Sequence, residues 1–137
     1  MRKKLLPLLA SLLILAGCSC NKEPDIDSKF LESSTVALQI KGAAQFTYDS
    51  ARDQLSFNEQ KKTFRACNDN GTEYFTLSCD KIPTEKGQTI KGNLAYTRGN
   101  GVGQESNLKL KVEKVQGDMI WLWNSDKKIA VCVRTLR

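Results

Sequence analysis

Five cysteines, two tryptophans and a complete lack of histidine bound the chemistry open to this 137-residue chain. Without histidine the commonest general base, the usual zinc ligand and the switch that titrates near neutrality are all missing. A cysteine nucleophile would have to find some other base to form its thiolate, so structural cysteine is the better reading. Parity puts Cys67 and Cys79 on opposite faces of one hairpin, which strains a bond between them. Cys67 and Cys132 both face away from the expected core and can form a disulfide if their strands are neighbours, although Cys20, Cys67, Cys79 and Cys132 allow three full pairings. Asn68-Asp69-Asn70-Gly71 has the look of a calcium loop, but the register that makes Gly71 sixth puts Ala66 first and Leu77 twelfth, where carboxylates belong. Cys67 and Cys79 have no partner ligands at zinc spacing, so neither a metal nor a cofactor is expected. Gly99, Gly101 and Gly103 lack both the spacing and the following helix of a phosphate cradle. Asp49, Asp53, Glu59, Glu73 and Asp80 fall near strand ends, but nothing holds two of them at a hydrolytic separation. No catalytic residue is assigned, and an enzyme is not expected.

The elements that must position any site begin with the first eighteen residues. Arg2, Lys3 and Lys4 precede an almost wholly apolar run from Leu5 to Ala16, the layout of an export signal. The run is shorter than the roughly 20 residues a bilayer-spanning helix needs. Leu15-Ala16-Gly17-Cys18 closely resembles the lipobox of bacterial lipoproteins. That resemblance covers residues 1–18 and implies cleavage before Cys18, acylation of its sulfur and new amine, and attachment to a membrane of the cell envelope. Ser19 after the cysteine resembles outer-membrane sorting in Gram-negative lipoproteins; which leaflet is left open. Residues 18–33 form the lipidated cysteine and a polar, breaker-rich stretch expected to be a mobile tether of about fifteen residues.

Residues 34–137 form the folded domain. Loss of Arg2, Lys3 and Lys4 with the signal leaves 18 basic against 15 acidic side chains, a net charge of +3 in place of +6. That balance argues against nucleic acid as a partner. Val36, Leu38 and Ile40 alternate with polar or small residues, as do Phe46 and Tyr48, Leu55 and Phe57, Ile90, Leu94 and Tyr96, and Leu108, Leu110 and Val112, the period of half-buried strands. Asp49 to Asp53 reads as a hairpin turn or a single capped helical turn, and Asn70-Gly71 as a hairpin turn. Gly92 marks a bulge, and Arg98 to Gly103 a flexible glycine-rich loop. Lys109 and Lys111 share one strand face and read as protection against edge pairing, with binding of an anionic lipid or glycan as the sharper alternative. The expectation is all-β: a single antiparallel sandwich or small barrel of about eight or nine short strands.

The last hairpin says most about function. Pairing across Ser125-Asp126 sets Leu122 against Ile129 and Ile120 against Val131, leaving Met119, Trp121, Trp123, Ala130 and Cys132 on the other face. Two tryptophans there read either as a platform for a sugar ring or an apolar partner side chain, or, preferably, as packing beneath the segment from Phe30 to Leu38 or a second sheet. Trp121 and Trp123, with Tyr96 and the loop from Arg98 to Gly103, are the expected contact residues of a non-enzymatic module that binds an envelope protein or glycan. The small lipid-anchored β domains that inhibit envelope hydrolases look similar in size and layout, though this chain carries no matching inhibitor motif. A calycin-like barrel around an apolar ligand and a carboxylate-dependent hydrolase are the alternatives.

Overall fold

The computed structural model describes residues 24–136, so Cys18 and Cys20 lie outside the described residues. In chain order the elements are α1 (Ser28–Glu32), β1 (Ala37–Ile40), β2 (Ala43–Thr47), β3 (Gln54–Asn58), β4 (Thr63–Cys67), β5 (Tyr74–Cys79), β6 (Thr89–Arg98), β7 (Gly101–Gln116), β8 (Met119–Asn124) and β9 (Ile129–Arg134). The nine strands form one antiparallel sheet in the order β2-β1-β9-β8-β7-β6-β5-β4-β3, curled into a half-barrel. The all-β expectation holds, and of sandwich and barrel the curled single sheet takes the second form.

Turn chemistry explains why most strands pair with their chain neighbours. Lys41 and Gly42 both have positive φ (53° and 82°), the signature of a type I′ turn joining β1 to β2. The expected loop at Arg98 to Gly103 is instead a two-residue turn at Gly99-Asn100: Arg98 pairs with Gly101, and β7 starts at Gly101. Gly99 alone takes positive φ there (58°), as a type II′ turn requires. The β4–β5 connection is longer than an Asn-Gly turn; Asn68 organises it by accepting from the Glu73 amide and donating to the Thr72 hydroxyl.

Two expectations need correction. The final hairpin turns over four residues, and its register is Leu122 with Val131 and Ile120 with Val133. Lys128 adopts positive φ (55°) and Asn124 Oδ1 accepts the Lys127 amide, which holds the longer turn. A shift of two leaves every side chain on its expected face, because the strand period is two. The second correction concerns residues 49–53, which do not make a hairpin. Asp49 O accepts the Asp53 amide at 2.8 Å and Asp49 Oδ1 caps the Ala51 amide, so the alternative, one helical turn, is what forms. It links β2 to β3, the two opposite edges of the sheet. With nine strands and antiparallel neighbours throughout, those edge strands run in the same direction. They act as one broken strand that leaves one edge and joins the other.

The concave face holds the main core, including Leu38, Phe46, Phe64, Phe75, Leu77, Leu110, Leu122 and Val131. Phe46 and Phe75 meet edge to face at 5.6 Å across it. An irregularity does fall beside Gly92, but the extra residue is on β7: Gly92 pairs with Leu108 and Leu94 with Glu105, so Ser106 and Asn107 stand opposite Asn93, and Asn107 takes positive φ (55°). A second shift between Val112 and Lys114 makes Glu113 the extra residue and turns Lys114 outward rather than into the core. Tyr96 lies inside, over its cross-strand partner Gly103, where an added Cβ would sit 2.3 Å from the ring. Gly103→Ala is therefore expected to cost about 1–3 kcal/mol by overpacking, read as a lowered denaturant midpoint; an unchanged midpoint would show that the Tyr96 ring is free to move.

Candidate functional site

The outer faces of β8 and β9 carry Trp121, Trp123, Ala130 and Cys132, as their parity requires. They are covered by the N-terminal segment, which is docked rather than mobile from Pro24 onward. Asp27 caps α1 by accepting the Lys29 amide, and the helix buries Phe30 (4% exposed) beside Ile26. Ile26, Phe30, Ala37, Trp121, Ala130 and Cys132 make a second, smaller core outside the sheet. Trp121 is 1% exposed, and its Nε1 donates to Ser33 O at 3.2 Å. Lys114 Nζ sits 4.5 Å above the Trp121 ring and donates to Leu31 O at 2.8 Å, satisfying a carbonyl at the helix C-terminus. The missed signal was Ile26 and Phe30, four residues apart around a capping Asp27.

Trp123 is different. It remains partly exposed, and its Nε1 donates to Pro24 O at 3.0 Å. Its ring borders a cleft of about 350 Å³ walled by Pro24 and Asp25, by Lys109, Lys111 and Glu113 of β7, and by the β8–β9 turn. Lys111 is the cross-strand neighbour of Trp123. Asn124 fixes the floor: it is 4% exposed, its Nδ2 donates to Lys109 O at 2.9 Å, and its Oδ1 holds the turn. Nothing in the local pattern marks Asn124 for burial.

Tyr96 does not join the tryptophans. It is on the concave face, 5% exposed, bordering a separate mouth cleft with Arg98, Glu105 and Lys127, where Lys127 and Glu105 pair at 3.0 Å. Behind it the concave face is packed with Leu94, Leu110, Leu122 and Val131, each at most 2% exposed.

The expected Cys67–Cys132 disulfide does not form; both are free thiols, as is Cys79. Strands β8, β7, β6 and β5 separate β4 from β9, so the required adjacency fails. Burial pushes the Cys132 thiol up to about 12, against the pull of Arg134 and Lys114. Burial, helped by the charge of Asp80, does the same for Cys79, also to about 12. Both thiols therefore stay protonated and unreactive at neutral pH. Cys67 is half-buried, with the Arg65 guanidinium 3.9 Å from its sulfur. Asp49 and Asp53 are engaged locally: Asp49 is held below the usual carboxylate range by the Ala51 amide and then by Arg52, and Asp53 accepts the Asp49 amide. Among the described residues, no three His, Cys, Asp or Glu side chains gather as a metal set.

No family model matches the chain, and no solved structure matches it significantly. The site must be read from its own geometry.

Two outcomes follow from the buried groups. Iodide is expected to quench Trp123 and leave Trp121 untouched, so Trp123→Phe should yield blue-shifted, nearly unquenchable emission; strong quenching in that variant would mean the segment lifts from Trp121. Raised thiol pKa values in the folded state mean that the unfolded chain loses those protons first, from pH 9 upward. The stability tied to Cys79 and Cys132 is complete below about pH 9 and falls as pH climbs toward 12. A denaturant midpoint series over that range checks this, and Cys132→Ala is expected to remove its share of the fall while leaving that of Cys79.

Proposed function

We propose that this chain is a lipid-anchored protein of the bacterial cell envelope that works as a non-enzymatic binding module, holding a glycan or protein partner through the Trp123 cleft. The observation that carries this reading is the contrast between the two tryptophans. Trp121 is sealed into packing, whereas Trp123 stays partly exposed at a cleft lined, apart from Pro24, by charged and polar side chains. An aromatic face beside polar groups that fix orientation is the usual make-up of a recognition site. The packed interior supports surface binding over ligand storage.

Cys18 is the proposed acylation site and the membrane the first partner. Two or three acyl chains provide lasting attachment, each buried methylene contributing about 0.8 kcal/mol. Docking of Pro24 shortens the tether expected from sequence: five residues, 19–23, separate Cys18 from the domain. Ser19 supports the outer membrane as the destination.

The processed protein from an envelope fraction is expected to carry a diacylglyceryl or triacyl mass at Cys18, and Cys18→Ser to abolish it and release the chain from membranes. An unmodified Cys18 in the mature protein would overturn the anchor. For binding, Trp123→Ala is expected to lower partner affinity about tenfold or more, with the folding midpoint shifted by under about 1 kcal/mol.

A further inference from the structure

The lysines beside Trp123 lack the role that sequence suggested for them. Lys109 and Lys111 cannot guard against edge pairing, because β7 is a central strand, hydrogen-bonded to β6 on one side and β8 on the other. No edge exists there to protect. Their placement is also unfavourable for the fold. Lys91 of β6 lies directly across from Lys109, and Lys111 is two residues further along the same outer face. Like charges set opposite one another on a sheet destabilise it. Among the described residues, no carboxylate pairs with Lys91 or Lys109, and Lys111 reaches Glu113 only at 4.0 Å, the outer limit of an ion pair.

We infer that the Trp123 cleft takes a sugar bearing an acidic group, a carboxylate or a phosphate. The inference rests on the binding reading above and names its ligand class. The exposed part of the Trp123 indole suits the apolar C–H face of a pyranose ring. Lys111 is its cross-strand neighbour, and Lys109 lies about 7 Å further along the strand. An anionic substituent on a stacked ring meets Lys109, which pairs with no carboxylate among the described residues, and Lys111, whose contact with Glu113 is a long 4.0 Å; charge-assisted hydrogen bonds there are stronger than neutral ones. Glu113 and Asp126 stand on the same cleft as acceptors for ring hydroxyls. An apolar peptide side chain would leave those lysines and carboxylates without partners. The buried Asn124 amide, bonded to Lys109 O at 2.9 Å, holds the strand that carries the lysines and so acts as a positioning residue.

The test is titration calorimetry of the processed, lipidated protein in detergent with three probes: trigalacturonate, its neutral counterpart galactotriose, and inorganic phosphate. Trigalacturonate is expected to bind at least about tenfold tighter than galactotriose, with affinity falling as salt rises. Lys109→Gln with Lys111→Gln should erase that preference and the salt dependence while the folding midpoint holds or rises. Trp123→Ala should lose both sugars. Equal binding of the two sugars, lost in Trp123→Ala, would overturn the acidic preference and leave the binding module standing. Phosphate binding as tight as trigalacturonate would overturn the sugar and leave an ion site. No binding of any probe would overturn both this ligand class and the assignment of the cleft.

Discussion

Strands β8 and β9 are apolar on both faces, and one curled sheet can bury only one of them. The concave face takes Ile120, Leu122, Ile129, Val131 and Val133, leaving Trp121, Ala130 and Cys132 on the outside. Exposing that much apolar surface is unfavourable at about 25 cal/mol per Å², so something must cover it. The chain uses the segment just before β1. Ile26 and Phe30 supply the apolar cover, and Trp121, Trp123 and Lys114 supply donors for the carbonyls of Ser33, Pro24 and Leu31. A covering segment with unpaired carbonyls would forfeit much of what burial contributes.

That solution also creates the cleft. Pro24 and Asp25 form one wall because the covering segment runs past Trp123 on its way to Trp121. The other wall is β7, whose outward lysines stand where they do because the extra residue at Glu113 comes after them and resets the strand for Lys114. The register shift therefore serves both ends of the same wall. Beyond it Lys114 supports the helix, and before it Lys109 and Lys111 keep the alternation that faces them outward.

Curling follows from strand count and connectivity. The last strand returns to pair with the first, and the edges that remain belong to β2 and β3. Their shared direction rules out a hairpin between them, which is why Asp49 to Asp53 coils into one helical turn.

Local pattern determined much of this: the all-β class from period-two alternation and the faces of the last hairpin from parity; the irregularity expected at Gly92 falls beside it, on β7. The inner and outer sets on β8 and β9 were legible even though the register was two residues off, because parity survives an even shift. The resemblance of Leu15 to Cys18 to a lipobox is likewise a reading of sequence alone. Tertiary structure decided what depends on distant neighbours. It made Trp121 a packing residue by laying Phe30 on it, and it placed Tyr96 inside, away from both tryptophans. It kept Cys67 from Cys132 by interposing four strands. It also set Lys109 and Lys111 in the middle of the sheet, where edge protection has no meaning. The physical reason is common to all four: alternation tells which face a side chain takes, and only the order of strands tells what that face meets.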